Sequence, residues 1–362
     1  MKKILTIVGA RPQFIKSAMV SREFKKREPF LREFTLHTGQ HFENNLSDVF
    51  FRQLELPTPY ENLNVFNAGK TGEQLARMIE KIEAVCLELK PQLVLVYGDT
   101  TSTLAGALAA NKLDLPVAHV EAGLRSYNKA MPEEVNRVLT DYMASLLFVP
   151  TAQAENNLRQ ERITEGIFQV GDVMVDLLLW AQGSVLPTIA LPTDLSKYSD
   201  YALLTLHRKE NTHGVAKINL LFQALASSPF PFLFPIHPRT RNLLAEHNVK
   251  VPPQVIICEP LGYFDMLKLV SGARVVWTDS GGLQKEAVVM NKKCFTLRDQ
   301  TEWPETLVDG WNELVSFDQE SLRHALKRST PASPGQCYPT QEHFGDGTAS
   351  RQIVDVVSTF LT

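Results

Sequence analysis

The sequence predicts an α/β fold class, with two doubly wound domains and a cleft between them. Three observations predict it. Short β-rich apolar runs alternate with helical patterns along the chain, which points to parallel sheets with crossover helices. The scheme of the first half is repeated in the second. A Pro-rich stretch without sustained periodicity, LPTIALPTDLSKYSD, follows GDVMVDLLL and separates the halves. At 362 residues the chain is long enough for two full cores. The division sets an N-terminal domain at 1–172, a C-terminal domain at 173–345, and a last segment at 346–362 that packs back on the first domain.

In the first half the strands read Lys3–Val8, Phe34–Thr38, Leu93–Tyr97, Val117–Glu121 and Leu146–Val149, each a short apolar run bounded by polar or turn residues. Helical patterns fill Pro12–Arg27, Thr71–Lys90 and Thr101–Leu113. In the second half the strands read Tyr201–Thr205, Phe232–Ile236, Val255–Cys258, Val275–Trp277 and Lys293–Thr296. Its helices read Ala216–Ala226, Tyr263–Gly272 and Gly282–Asn291, and Thr348–Leu361 reads as a final helix after HFGDGTAS.

Composition narrows the function. Apolar residues are 44% and charged residues 21%, as in ordinary globular proteins. A net charge of -3 excludes a polybasic surface, so no nucleic acid is expected and an anionic ligand needs a local cluster of cations. Cys86, Cys258, Cys294 and Cys337 are far apart with no CxxC, so neither a zinc site nor a disulfide framework is read. The start MKKILTIVGARP reads as a first strand and not as a secretory leader, and no apolar run approaches a membrane span. The expectation is a cytoplasmic protein that engages no membrane.

The polar residues gather where strands end. In VAHVEAGLRSYNKAMPEEVNRVLTD (117–141), Glu121 closes a strand, at the edge where open α/β sheets bind ligands. Pro132 suits a first helical turn, where the dipole favours Glu133 and Glu134. Glu133 and Arg137, four apart, share a helix face, and a cap with an ion pair would explain them as simply as catalysis. Asp99 in YGDTTST sits at a sheet edge in an N-cap position, so capping is its simplest role taken alone. GARPQFIK (9–16) follows the first strand without a GxGxxG fingerprint and offers helix N–H groups, Arg11 and Lys16, a set suited to a diphosphate; two solvated cations on a turn is the plainer account.

The second half repeats the arrangement. His207 ends a strand in LHRKEN, crowded by Arg208, Glu210 and Asn211, and IHPR adds His237 and Arg239 at the same edge. In TDSGGLQKE a strand runs into Ser280, Gly281 and Gly282 and a helix starts at once. The glycines let a ligand approach the backbone, and the helix start presents free N–H groups to phosphate. Glu286, one turn in, can accept from ribose hydroxyls.

Taken together, GARPQFIK, HTGQH, VYGDTTSTLAGALAA, HVEAGLR, PEEVNR, LTLHRKEN, PIHPRT, TDSGGLQKEA and RDQTEWPE resemble the non-hydrolysing UDP-N-acetylglucosamine 2-epimerase family, in family order. The resemblance implies the GT-B fold of two Rossmann-like domains, a homodimer, a UDP-sugar substrate, and no NAD, other cofactor or metal. It implies that Asp99, Glu121, Glu133, Arg137 and His207 are catalytic, and that Arg11, Lys16, His237, Ser280, Gly281, Gly282 and Glu286 contact UDP. Arg239 joins them from its position. The chemistry it implies is elimination of UDP across C1–C2 to a glycal, then re-addition after protonation on the other face, in surface polysaccharide biosynthesis.

Departures shade the expectation. Glu43 stands where many such enzymes keep a polar anchor of an allosteric UDP-sugar site, so an obligatory activator is not expected. Trp303 stands in TEWPE where they carry an Arg that helps hold UDP, and Met266 where an aromatic is common. GARPQFIK, TGQHFENNLSDVFF and RSYNKAMPEE look closer to a sister branch acting on UDP-2,3-diacetamido-2,3-dideoxyglucuronate (UDP-GlcNAc3NAcA). A GT-B glycosyltransferase, a hydrolytic epimerase and a non-catalytic UDP-sugar-binding protein are the competing readings.

Overall fold

A computed structural model describes residues 1–40, 54–66, 71–333 and 335–362. Glu43, and with it the expectation about an allosteric pocket, lies outside the described residues. The chain divides into two units, Met1–Leu179 with Thr340–Thr362, and Trp180–Pro339.

The first unit is built on seven strands: β1 (Lys2–Val8), β2 (Leu31–His37), β3 (Glu61–Asn62), β4 (Leu93–Tyr97), β5 (Val117–Val120), β6 (Leu146–Val149) and β7 (Ile167–Gln169). They form one parallel sheet in the order β3-β2-β1-β4-β5-β6-β7. Every residue of β4, β5 and β6 is buried, as expected of strands covered on both faces, and so they read as unbroken apolar runs. One covering helix is Thr71–Leu89, whose Met78, Ile82, Val85 and Leu89 recur in steps of three and four and pack on Leu5, Ile7, Val94 and Val96. The strand order reverses between β1 and β4, which opens a crevice at the carboxyl ends of those strands.

The second unit repeats the plan with β8 (Ala202–Thr205), β9 (Phe232–Pro235), β10 (Val255–Cys258), β11 (Val275–Thr278), β12 (Cys294–Thr296) and β13 (Asn312–Leu314). The order β10-β9-β8-β11-β12-β13 reverses between β8 and β11. Its core includes Trp277, Phe232 and Phe295, and the Trp277 indole N–H donates to Ser329 Oγ at 3.0 Å, so the burial leaves no donor unmet.

Three strands go beyond the sequence reading. β3, β7 and β13 are two to three residues long and lie at or against sheet edges, too short to carry a periodic signal. Another difference is at β5, which ends at Val120, not at Glu121. The domain division falls at 179/180, where the sequence suggested 172/173, and the second unit ends at Pro339. The reason is Asp176, in the helix Val173–Trp180. Its buried carboxylate accepts from the N–H groups of Ala349 at 3.2 Å and Ser350 at 2.7 Å, capping the last helix, Ala349–Phe360. That helix also packs on the helix Arg11–Lys26. Both stay with the first sheet. Among the described residues no helix is long and apolar enough to cross a membrane, and no group of three or more His, Cys, Asp or Glu is placed to hold a metal.

Candidate active site

At the first switch point the ends of β1, β4 and β5 carry the polar residues. The helix Arg11–Lys26 starts directly after β1. Gln13 in its first turn accepts from the Gly9 and Ala10 N–H groups at 2.8 and 3.1 Å. Its amide donates to the Tyr97 carbonyl and to Thr103 Oγ1, both at 3.0 Å, joining the β1 turn to the end of β4. One turn on, Lys16 Nζ lies 2.7 Å from both oxygens of Glu121. Only Oε1 has hydrogen-bond geometry; the buried Oε2 has no hydrogen-bond partner among the described residues. Burial works against a charged Lys16, but the Glu121 and Asp99 carboxylates outweigh it and raise its pKa above the ordinary 10.5.

Glu121 has a left-handed backbone, φ 70°. For a side chain with a Cβ that conformation costs about 1–2 kcal/mol. Such strain persists where the surroundings over-determine it, and it clusters at functional sites. It turns the carboxylate out of the strand toward Lys16.

Asp99 accepts a hydrogen bond from Arg137, and its carbonyl accepts from Asn136 Nδ2 at 2.9 Å. It is not the helix cap. Thr100 is the N-cap of Thr101–Lys112, its hydroxyl accepting from the Thr103 N–H at 3.3 Å, which leaves the Asp99 carboxylate for Arg137. Burial alone would lower the Arg137 pKa; Asp99, then Glu134 and Glu121, hold the guanidinium charged and raise it.

The helix Pro132–Met143 begins where Pro132 suggested. The Glu133–Arg137 pair does not form. Arg137 instead donates to Glu134, at 3.1 Å, because Glu134 is the inward-facing residue of the first turn. Glu134 also accepts from the Ser126 N–H and hydroxyl at 2.9 Å and the Tyr127 N–H at 2.7 Å, which occupies both its oxygens. Glu133 is exposed. Lys16, Asp99, Glu121 and Arg137 are thus brought together at one sheet edge, and Glu133 makes none of these contacts.

The second switch point holds His207 and Asp279. The Asp279 carboxylate is fully buried and accepts from the His207 N–H at 3.1 Å, the Arg208 N–H at 2.9 Å and Asn211 Nδ2 at 3.1 Å. His207 Nδ1 lies 3.1 Å from it, and the ring is 44% exposed, so the anchored imidazole still faces solvent. Burial would raise the Asp279 pKa, but the His207 side chain and these backbone donors lower it below the ordinary 3.8.

Ser280 caps the helix Gly281–Val289, accepting from the Leu283 N–H at 3.3 Å, so the helix begins one residue earlier than read. A methyl group on Gly281 would lie 2.1 Å from Glu302 Oε1, while one on Gly282 would meet nothing within 4 Å. Glu302 pairs with Arg298 at 2.7 Å and Arg208 at 3.5 Å; although burial opposes it, those guanidinia lower its pKa below 4.5. Glu286 is buried and accepts from the Tyr263 hydroxyl at 3.0 Å. His237 caps the helix Pro238–Glu246 through Nδ1, which accepts from the Arg239 N–H at 3.2 Å, and both residues are exposed at the end of β9. Arg11 is exposed at the end of β1. Trp303 is buried with the Lys285 ammonium 3.8 Å from its ring centre, so the residue standing where an Arg was expected is a core aromatic.

The sequence reading passed over Gln13, Asp279 and Glu302. Gln at the third position of a helix is a capping signal, and it was available for Gln13. Asp279 and Glu302 carried no local pattern; only the register of β8 against β11, and the return of the chain after β12, show their partners.

Two parallel-sheet α/β units, each with its own switch point, are the architecture of the GT-B class. A family profile described as UDP-N-acetylglucosamine 2-epimerase matches residues 23–358. A "UDP-N-acetylglucosamine 2-epimerase homolog" of Methanococcus maripaludis is 45% identical, covering 98% of this chain and 99% of that one. A UDP-2,3-diacetamido-2,3-dideoxy-D-glucuronate 2-epimerase of Pseudomonas aeruginosa is 44% identical, with the same coverage. The crystal structure of Methanocaldococcus jannaschii UDP-GlcNAc 2-epimerase in complex with UDP-GlcNAc and UDP matches with a TM-score of 0.88 at 40% identity over 99% of both chains. The chain belongs to the UDP-N-acetylglucosamine 2-epimerase family and is an enzyme of the epimerase class.

Proposed function

We propose that this enzyme inverts C2 of a UDP-2-acetamido sugar without hydrolysis, for surface polysaccharide biosynthesis, working as a cytoplasmic homodimer. The C2 proton is not beside a carbonyl, so its direct removal is very unfavourable. UDP is instead eliminated across C1–C2, leaving a 2-acetamidoglycal, and is added back after C2 takes a proton on the other face. Asp99, Glu121 and Glu133 supply the proton-transfer groups. Arg137 and Lys16 hold the Asp99 and Glu121 carboxylates in place and stabilise the charge that develops on the leaving diphosphate. Arg11, His237, Arg239 and the helix start at Ser280, Gly281 and Gly282 hold UDP, Glu286 holds its ribose, and His207 serves the reacting end.

The observation that carries this reading is Glu121. It is a residue with left-handed backbone at a sheet switch point, its carboxylate gripped by the Lys16 ammonium 2.7 Å from both oxygens, beside the Asp99–Arg137 pair at the same sheet edge. The relatives leave two sugars in view, UDP-GlcNAc and UDP-GlcNAc3NAcA. Both, supplied without any acceptor and followed by proton and phosphorus NMR, test the reading. A manno epimer formed from either one, with no free UDP accumulating, supports it, and the faster sugar names the branch. Accumulating UDP, an acceptor requirement, or no conversion of either would refute it in favour of a hydrolase, a transferase or a binding protein.

A further inference from the structure

His119 lies in β5 with its side chain fully buried. Its ring nitrogens meet two different partners, Nδ1 at 2.7 Å from Asp141 Oδ1 and Nε2 at 2.7 Å from the Gly98 carbonyl oxygen. A carbonyl oxygen can only accept, and so can an ionised carboxylate. The other oxygen of Asp141 acts as a carboxylate acceptor, taking hydrogen bonds from Arg125 Nη1 at 2.7 Å and from the Gly123 N–H at 3.1 Å. Both contacts therefore need an N–H from the ring.

The charges of the cluster agree. Arg125 also binds Glu161 through Nε and Nη2, each at 2.7 Å. The guanidinium faces two carboxylates, the fully buried Asp141 and the partly exposed Glu161, so it is shared between them and leaves room for a second positive partner at Asp141, the doubly protonated ring.

The residues this ring holds are those that carry the site. Gly98 precedes Asp99 and has φ 62°; Gly123 lies two residues after Glu121 and has φ 79°. A Cβ at Gly123 would lie 2.3 Å from the Ala154 carbonyl, so the turn behind Glu121 has no slack. The ring ties down the backbone below Asp99. Asp141, which it grips, ties down the turn behind Glu121. Full burial keeps the ring from touching a substrate.

We propose that His119 is a positioning residue, held with a proton on each ring nitrogen, that keeps Asp99 and Glu121 in register for proton transfer. The proposal rests on the roles given to those two carboxylates above. Two measurements test it. In NMR spectra of the whole enzyme labelled at histidine nitrogen, at neutral pH, both ring nitrogens of His119 should show the shifts of protonated nitrogens with retained protons; one unprotonated nitrogen overturns the proposal, and this needs no variant. In kinetics, His119→Asn can offer an N–H to only one of the two partners. A slight displacement of reacting groups costs about a hundredfold in rate, so kcat should fall by about that factor with UDP affinity unchanged. A folded His119→Asn enzyme with full kcat overturns the proposal. Asp99→Asn, assayed alongside, separates the failures. If it is inactive while His119→Asn is normal, only this inference fails; if Asp99→Asn is fully active, the underlying reading fails.

Discussion

Gly281 and Gly282 allow UDP binding and folding to be perturbed separately, although they are neighbours in one helix start. A methyl group at Gly282 meets nothing within 4 Å, and its backbone is not left-handed. Gly282→Ala should therefore stabilise the fold slightly, by about 0.4–1 kcal/mol, through a less flexible unfolded chain. A methyl group at Gly281 lies 2.1 Å from Glu302 Oε1 and forces that carboxylate to swing away. The move weakens a charge-assisted bond to Arg298 of 2.7 Å, worth about 1.5–3 kcal/mol. Against it stands a gain of up to about 1 kcal/mol from replacing glycine in a helix. Gly281→Ala should thus lose about 1–2 kcal/mol of stability in urea unfolding. If the diphosphate rests on this helix start, both substitutions insert a methyl group where phosphate oxygens approach the backbone N–H groups. Each should cost one or two charge-assisted hydrogen bonds, about tenfold to several hundredfold in UDP affinity by calorimetry. Gly282→Ala is the decisive variant, because a folded and slightly stabilised protein excludes damage as the cause. Unchanged UDP affinity in Gly282→Ala would refute the placement of the diphosphate on this helix.

Other expectations can be checked together. Asp99→Asn, Glu121→Gln and Glu133→Gln should each keep the fold by circular dichroism and lose most turnover; all three staying within about tenfold of the parent, roughly 1.4 kcal/mol in barrier, would end the acid–base assignment. Lys16→Met leaves Glu121 buried without its cation, so it should both destabilise the first unit and slow catalysis, whereas a purely electrostatic surface role would leave stability untouched. The Asp279 and Glu302 carboxyls have pKa values lowered in the folded state, so their contribution to stability is complete above the unfolded values of 3.8 and 4.5 and is lost as pH falls through the folded ones. Lys16, with a raised value, contributes fully below 10.5 and loses its contribution as pH rises through its folded value. Denaturant midpoints measured across pH should fall at both ends, and Asp279→Asn should flatten the acid end.

Most of the architecture was legible because buried parallel strands write themselves as apolar runs, as LVLVY and VAHV do. The edge strands β3, β7 and β13 were not, since two or three residues carry no period and only their neighbours define them. Strand-end polar residues were legible as a group, but their partners were not. Whether Glu133 or Glu134 turns inward depends on the helix's orientation against β5, which the sequence does not contain. Asp99 looked like a cap until Thr100 took that role. His119 was hidden inside an apolar run, where a lone histidine is unremarkable, and its meaning depends on Asp141, which lies 22 residues away. Glu121 was read as a strand residue; its left-handed backbone is set by the turn that Gly123 and Asp141 hold.

The central claim is that the bond from C1 to UDP breaks while C2 exchanges its proton with solvent. The direct measurement incubates the enzyme in deuterated water with a UDP-2-acetamido sugar carrying heavy oxygen in the bridge between C1 and the diphosphate. The account predicts a manno epimer with deuterium at C2, and recovered substrate in which the heavy oxygen has scrambled into non-bridging positions of the diphosphate. A C2-inverted product that keeps its original proton, with the label still in the bridge, would contradict elimination and re-addition.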